Sequence, residues 1–268
     1  MLPPFLERAI LAVILISINA SLAGTFTIFR DASFLVAGAA HAALAGAALA
    51  IVVEEAGFHV PVLLGGLIFA VATAITAGYA SGKGKLSGTE DTNTAIAVSF
   101  ALSMSLAVLF ISMIREYAAR VWGLLIGDLF LLSYSDLKLM FASTLFVVLV
   151  SVIFHRAFLF ISFDAEAAMA YGVNVRLYDY IMLSTVAVSV VVIMGGVGAI
   201  LVFAMFVAPS ATAAKIAGTV GSVFLLSFVI SLICGLLGIY LSFNFPFSPG
   251  AIAALIASTT YFASIFVK

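Results

Sequence analysis

Long apolar runs separated by short polar stretches account for almost the whole chain. A helix needs about 20 mostly apolar residues to span a bilayer. Nine runs approach that length, at approximately 5–28, 33–53, 58–80, 92–113, 138–160, 177–194, 197–214, 219–242 and 250–266. The two runs that flank Gly195–Gly198 could instead form one broken hairpin, which would leave eight spans. The pattern therefore predicts an all-α integral membrane protein with eight or nine transmembrane helices.

Composition supports this prediction and excludes several functions. Of the 268 residues, 65% are hydrophobic and 9% are charged, whereas soluble domains carry roughly 25% charged residues. Residues 1–268 are therefore expected to form a single transmembrane domain surrounded by membrane lipid. The net charge of −1 and the scattered basic residues argue against a nucleic-acid partner. The single cysteine, Cys234, excludes an internal disulfide and a cysteine-based metal site.

Basic residues in short loops favour the cytoplasmic side of a membrane and so indicate the orientation. An outside N-terminus places seven of them inside, namely Arg30, Lys83, Lys85, Arg156, Arg176, Lys215 and Lys268. Four then lie outside, namely Arg8, Arg115, Arg120 and Lys138. We therefore expect a multi-pass protein of the plasma membrane with its N-terminus outside and its C-terminus in the cytoplasm.

The second run contains "AGAAHAALAGAALA", which carries one ionisable side chain, His41. Gly38, Ala42, Gly46 and Ala50 recur every four residues and form a smooth helical face that allows close packing in lipid. His41 projects about 100° away from that face. An ionisable side chain in a span is a candidate for function because its burial is costly. The alternative is a structural, neutral imidazole that is hydrogen-bonded to a backbone carbonyl.

Two further segments contain residues that interrupt or end helices. The segment "MGGVGAILVFAMFVAPSATAA" contains Gly195, Gly196, Gly198 and Pro209. A helix broken there could line a transport path, because irregular backbone at membrane depth must be covered by protein or line a wet cavity. A kinked structural helix is the alternative.

The connector "FDAEAAMAYGVNVRL" predicts a short helix of about two turns at the cytoplasmic face. Asp164 stands at the N-cap position and Gly172 follows as a C-terminal stop. Such a helix could be a plain connector or a docking element.

Residues 121–137, "VWGLLIGDLFLLSYSDL", are too short and too interrupted for a full span and predict an interfacial or re-entrant segment on the outer side. Its charge at Asp128 reads by default as a solvated carboxylate at a helix end.

Known catalytic motifs are absent from the sequence. "SGKGKLSG" places Gly84 where a phosphate-binding loop needs a hydroxyl residue, and no HExxH, GxSxG or paired intramembrane carboxylates occur. The chain is therefore not expected to be an enzyme. Uphill transport would need energy from a partner or from an ion gradient.

Four stretches resemble the membrane permease of ATP-binding-cassette (ABC) importers for divalent transition metals, the manganese/zinc/iron permease family. "SFLVAGAAHAALAGAALA" is similar to that family's GDxxSHxxLPGxALG, with His41 on the family histidine. "LLIGDLFLLSYSDL" is similar to FGDILxVSxxDL, and "FDAEAAMAYGVNVRLYDYIML" to FDxExAxxxGxxVxxLD. "VGAILVFAMFVAPSATA" resembles VGxLLVxALLVxPAATA. The resemblance spans nearly the whole chain.

This resemblance implies an importer-type ABC permease fold and a set of partners. Two copies of the chain would share one central pathway, each docking a cytoplasmic ABC ATPase that binds ATP, and an extracellular metal-binding protein would deliver the ion. The chain itself would bind no cofactor. Phe163, Asp164, Glu166 and Gly172 would belong to the coupling helix that seats in the ATPase. The span that ends at Pro209 would line the pathway, with His41 as its metal ligand or gate.

The sequence departs from the family pattern at several positions. Ala37 replaces an aspartate four residues before His41, Ala40 and Ala45 replace a serine and a proline, and Pro246 replaces an aspartate near the last spans. Hard divalent ions prefer oxygen ligands, so zinc becomes the first expectation, with manganese or iron next. Candidate replacement ligands are Asp91, Glu54, Glu55, His59 and Asp128. An ion-coupled secondary transporter, or an ABC permease for a non-metal or chelated substrate, is the alternative.

Overall fold

The structure is a computed structural model that describes residues 3–81, 89–114 and 127–266, apart from the side chains of residues 80, 81 and 89–93. Its described part is built from helices. They are α1 (Pro4–Asn19), a π-helical segment (Ala20–Gly24), α2 (Thr25–Phe29), α3 (Leu35–Glu55), α4 (Val62–Ser81), α5 (Thr89–Met113), α6 (Tyr134–Phe163), α7 (Ala165–Ala170), α8 (Val175–Val197), α9 (Ala199–Ile216), α10 (Val220–Asn244) and α11 (Pro249–Phe266).

Within the described ranges, nine helical stretches are long and apolar enough to cross a membrane. The first is the continuous run Pro4–Phe29, which combines α1, the π-helical segment and α2. Helices α8 and α9 both qualify, and a single residue, Gly198, separates them. Its φ of 89° suits glycine and turns the chain back at once. The structure thus favours nine spans over the broken-hairpin alternative with eight.

Residues 127–137 divide between an irregular stretch and the start of a span. Helix α6 begins at Tyr134, four residues before the predicted start of that span, after a capping box at Ser133. The side chain of Ser133 accepts from the Asp136 N–H, and the Asp136 carboxylate accepts from the Ser133 N–H. The irregular part therefore comprises residues 127–133. Residues 121–126 of the predicted interfacial segment lie outside the described residues.

Helix α3 lies at the centre of one group of helices. It packs against α4 and α5, and also contacts α8 and α9. Helices α9, α10 and α11 pack against one another in a second group, and α1 joins that group through α10. Helix α6 contacts both α1 and α8. Since α3 contacts α9, the two groups meet at the helix that carries His41.

The small-residue face of α3 packs as the sequence predicts. A Cβ atom built on Gly46 would collide with the backbone carbonyl of Gly65 in α4, and one on Gly65 would collide with the carbonyl of Gly46. The two backbones therefore touch directly. Lipid tails are as apolar as side chains, so such close packing is a main source of helix association in membranes.

The helix irregularity predicted at Pro209 lies elsewhere. Helix α9 continues through Pro209 to Ile216, and the irregular backbone is the π-helical segment of the neighbouring first span. Ser210 Oγ donates a hydrogen bond to the carbonyl oxygen of Ala20 (2.9 Å) and lies 2.8 Å from Ser227 Oγ. A side chain at Gly24 would collide with the Phe206 carbonyl. The break predicted at Pro209 is therefore absent, because α9 remains helical through the proline and packs against the π-helical segment.

A buried polar network fixes the first span against α6 and α8. Asn19 Nδ2 donates to Thr144 Oγ1 (2.7 Å) and to the Leu15 carbonyl (2.8 Å), and Ser189 Oγ donates to Asn19 Oδ1 (2.7 Å). Asn19 and Ser189 are fully buried. Because each of these bonds is made where water is excluded, the network favours one arrangement of the three helices.

The backbone contact between α3 and α4 leads to a stability prediction. We expect Gly46→Ala to lower the free energy of unfolding by about 2 kcal/mol, because an added methyl must push two backbones apart. Thermal unfolding of the detergent-solubilised protein measures this loss. The control is Gly221→Ala in α10, where a Cβ atom meets nothing within 4 Å. Equal stability of the two variants would contradict a direct backbone contact.

Candidate functional site

His41 lines a cavity of about 550 Å³ between four helices. The cavity is bounded by side chains of α3, α5, α9 and α11, among them Phe34, Ala37, Phe100, Phe203 and Ser258. The His41 ring contacts Phe100 edge to face, with 4.8 Å between ring centroids and 85° between the planes. The aromatic contact from α5 therefore fixes the orientation of the imidazole.

The Nδ1 atom of His41 is buried and makes no hydrogen bond with any described residue. Buried polar atoms nearly always have a partner, so an exception needs an explanation. The structural alternative, in which this nitrogen bonds to a backbone carbonyl, gains no support from Nδ1. A cavity-lining imidazole without that bond is consistent with a ligand for a transported species.

The cavity around His41 has almost no polar groups besides the imidazole. Its lining contains one hydroxyl, from Ser258, and otherwise alanine, leucine, isoleucine and phenylalanine side chains. Ala37, which stands at the family aspartate position, is part of that lining. An aspartate at this position would therefore face the cavity. The other position at which the family has an aspartate, Pro246, is exposed in the loop between α10 and α11.

A second cavity, of about 570 Å³, adjoins the first along α9 and α11. The two share Phe203, Ala204 and Ser258, so they form a continuous groove. The second cavity extends past Asp31 and Lys215. The Lys215 ammonium lies 5.2 Å from the centre of the Tyr261 ring, a cation–π distance.

The other candidate ligands are not brought to the His41 cavity. Glu54 stands at the far end of α3, roughly 20 Å from His41 along the helix axis at 1.5 Å per residue. Its Oε1 lies 3.9 Å from Nδ1 of His59, whose side chain is 96% exposed. Glu55, beside it, is exposed as well.

Asp128 and Asp91 also lie outside that cavity's lining. The Oδ1 atom of Asp128 accepts from the Phe130 N–H (2.9 Å), as in a local turn. The side chain of Asp91 lies outside the described residues. Among the described residues, no group of three or more histidine, cysteine, aspartate or glutamate side chains could hold a metal ion.

Gly195 and Gly196 line a smaller cavity of about 210 Å³, at the opposite end of α8 from α7. That cavity contains Asp136, whose carboxylate is engaged in the α6 capping box. The glycines therefore shape the α8 end and its turn, while the groove with His41 is lined by α9.

The predicted short helix is present as α7. The Asp164 carboxylate accepts from the Ala167 N–H (2.8 Å) and caps its first turn. At the other end, the N–H groups of Gly172 and Val173 donate to the Met169 and Ala168 carbonyls, both at 2.9 Å. This is a Schellman motif, with Gly172 at a φ of 80°.

The exposed side chains of this short helix and of the residue that ends α6 are available for docking. Phe163 and Met169 are 61% and 57% exposed, and Glu166 lies in the first turn. An apolar surface on a helix at a loop between spans is consistent with a partner's groove.

An ion pair next to α7 was missed by the sequence analysis. Arg30 Nε and Nη2 donate to the Asp179 carboxylate at 2.8 and 2.9 Å, and so link the end of α2 to α8. The hydrogen bond to Asp179 raises the pKa of the Arg30 guanidinium. The signal that could have found it is an aspartate inside an apolar run, a costly residue that needs a partner.

A model of the ABC 3 transport family matches residues 3–268. The chain belongs to the ABC 3 transport family. The resemblance found in the sequence is thereby confirmed. This ABC 3 protein is a membrane permease subunit, and ATP hydrolysis lies in a separate subunit.

Relatives and a solved structure agree with this membership. The manganese transport system membrane protein MntC of Halalkalibacterium halodurans is 29% identical over 262 residues, which cover 98% of this chain and 87% of the relative. The manganese import system permease protein ScaB of Streptococcus gordonii is 27% identical, with coverages of 98% and 91%. PsaBC from Streptococcus pneumoniae, solved in complex with Fab, superposes with a TM-score of 0.82 at 26% identity, over 99% of this chain and 92% of that one. The predicted ABC permease fold is confirmed.

The end of α7 leads to a prediction about local order. Gly172→Pro removes the N–H that bonds the Met169 carbonyl and cannot adopt a positive φ, whereas Gly172→Ala keeps the N–H at a strain of about 1 kcal/mol. We expect faster amide hydrogen exchange across residues 167–173 in both variants, and more so with proline. Unchanged protection in the proline variant would mean that the Schellman motif does not hold this helix.

Proposed function

We propose that this permease conducts a divalent transition-metal ion, zinc in preference to manganese or iron, along the groove that begins at His41. The observation that supports it is an imidazole lining a cavity beside α9 with no carboxylate among the described lining residues. ATP is hydrolysed by a cytoplasmic ABC ATPase, and an extracellular metal-binding protein delivers the ion.

The choice of ion rests on the ligand chemistry of the cavity. Imidazole nitrogen suits zinc, whereas manganese favours carboxylate, carbonyl and water oxygens. Ala37 in the cavity lining offers no such oxygen. Manganese is the second candidate, because the named relatives are manganese permeases.

We also propose that two copies enclose the pathway, with residues 1–268 of each acting as one permease domain. Leu255 and Phe262 of α11 line the groove and are 65% and 61% exposed, so the groove opens on an apolar flank of the single chain. A passage for an ion must be closed to lipid, and a second copy packed along α11 supplies the missing wall. Two imidazoles, one from each copy, would then be available to a single ion.

The proposed orientation places the N-terminus outside and the C-terminus in the cytoplasm. It rests on the basic residues and is compatible with nine spans, an odd number, which puts the two termini on opposite sides. Helix α7 then faces the cytoplasm, where Phe163, Asp164, Glu166 and Gly172 serve as the coupling helix. Lys215 and Asp31 lie at the cytoplasmic end of the groove.

The first test concerns the imidazole. In proteoliposomes that contain the permease, its ATPase and its binding protein, we expect His41→Ala to reduce ATP-dependent zinc uptake at least tenfold at limiting metal. A lost ligand worth about 1.4 kcal/mol has this effect. His155→Ala, which removes a histidine of α6 that does not line the groove, is the matched control. Normal uptake by His41→Ala would show that the histidine is structural.

The second test restores the missing carboxylate. We expect Ala37→Asp to raise the ratio of manganese to zinc uptake by about tenfold, because a hard oxygen ligand is added to the cavity. Uptake measured with both ions in competition gives the ratio. Val53→Asp, near the end of the same helix, partly exposed and away from the cavity lining, controls for the added charge. An unchanged ratio in Ala37→Asp would exclude this cavity as the site of ion selection.

A further inference from the structure

The helices on both sides of α7 are tied to two consecutive residues, the last residue of the first span and the one that follows it. On the α6 side, the last residue of that helix, Phe163, packs on Phe29 with 5.1 Å between ring centroids. On the α8 side, Asp179 holds Arg30 through two hydrogen bonds. The residues before and after α7 therefore meet at one corner, Phe29–Arg30.

The link between Arg30 and Asp179 is a bidentate one. The planar guanidinium offers two parallel N–H groups to two carboxylate oxygens, at 2.8 and 2.9 Å, a geometry that fixes direction as well as distance. The side chains are 21% and 11% exposed, so the pair is largely shielded from water and salt. This pair ties α8 to the end of α2.

The chain continues from this corner into the helix that carries His41. Residues 30–34 form a tight turn in which the Ala32 N–H donates to the Thr27 carbonyl (2.8 Å) and the Leu35 N–H to the Ala32 carbonyl (2.9 Å). Ala32 and Leu35 are fully buried. Asp31 adopts a φ of 53°, which is uncommon for a non-glycine residue. Because the turn has few residues and its backbone is hydrogen-bonded, it closely couples the position of α3 to that of the corner.

We propose that the corner Phe29–Arg30 is the mechanical link between the coupling helix and the ion pathway, with Arg30 and Asp179 as positioning residues. Displacement of α7 by the ATPase reaches the corner through Phe163 and through Asp179. The corner passes it through residues 30–34 to α3, where His41 lies within two turns of the helix start. This inference rests on the proposed function, since it assumes that α7 docks the ATPase and that His41 belongs to the pathway.

A purely stabilising role makes a different prediction for the double variant. Removing one partner leaves a buried charge unpaired, so the single variants Arg30→Gln and Asp179→Asn are expected to lose stability under either role. Replacing both charges leaves no unpaired charge and is often close to neutral for stability. The double variant Arg30→Gln/Asp179→Asn therefore distinguishes a role of the ion pair in stability from a role in transmitting movement of α7 to α3.

The experiment measures zinc ions transported per ATP hydrolysed in proteoliposomes that hold the complete importer. For the double variant we expect assembly and ATP hydrolysis near the wild-type level and about tenfold fewer ions per ATP. Arg156→Gln removes an exposed arginine from α6 and is the matched control, with an unchanged ratio. Arg30→Lys, which keeps the charge but not the fork, is expected to show a smaller loss of the same kind.

The outcomes separate this inference from the function on which it rests. If the wild-type complex accumulates no zinc or manganese with ATP, the proposed function fails. If the wild type transports and the double variant keeps the wild-type number of ions per ATP, the mechanical link is overturned. If the double variant does not assemble, the Arg30→Lys variant provides the test. A wild-type number of ions per ATP in Arg30→Lys then overturns the mechanical link.

Discussion

The contact between the backbones of α3 and α4 is the constraint on which the arrangement of this permease depends. In lipid, apolar side chains gain little from burial against one another, so helices associate where their backbones come close or where polar groups pair. Gly46 and Gly65 meet without side chains between them. This contact holds α3 inside the helix bundle, where one side faces α4 and another faces the groove along α9. His41 can face a cavity because other positions of the same helix are occupied by protein.

Hydrogen bonds between polar groups hold the helices that are not part of the α3–α4 backbone contact. The Asn19 network joins the first span to α6 and α8, and the Ser210–Ala20 bond joins it to α9. At the end of the same span, Arg30 bonds α8 again. The first span thus contacts both the helices that flank α7 and the helix that lines the groove. Its π-helical segment lies between these contacts, a common position for such a segment at functional sites.

The sequence predicted elements whose causes are local. The length of the apolar runs predicted the spans. Asp164 and Gly172 predicted the ends of the short helix. The repeat of small residues at every fourth position predicted the buried face of α3. It did not predict the π-helical segment, whose Ala20 carbonyl accepts a hydrogen bond from Ser210, a residue 190 positions away in the chain. A proline inside an apolar run likewise does not reveal whether the helix ends there, and α9 continues through Pro209 to Ile216. The Arg30–Asp179 pair needs tertiary contact and was likewise invisible to periodicity.

For the groove along α9, the sequence singled out the histidine but not its surroundings. His41 and Ala37 were known to be one turn apart, yet only the structure shows that both line one cavity with residues of α9 and α11. The remaining candidate ligands were chosen for their side-chain chemistry, and residue type alone does not show how far a side chain lies from His41. Glu54 and His59 come together at the far end of α3, about 20 Å along the helix axis from His41, so neither side chain reaches the cavity.

The one-residue turn at Gly198 has a consequence for how the groove can open. Helix α8 follows the short helix α7, and α9 lines the groove. The end of α8 that is distant from α7 is joined to the start of α9 by a single residue. A tilt of α9 about Gly198 would displace each residue in proportion to its distance from that glycine. A tilt of about 10° there would carry the opposite end of the 18-residue helix α9, roughly 27 Å away, by about 5 Å. A small tilt about Gly198 thus displaces the Ile216 end of α9 much more than the Ala199 end.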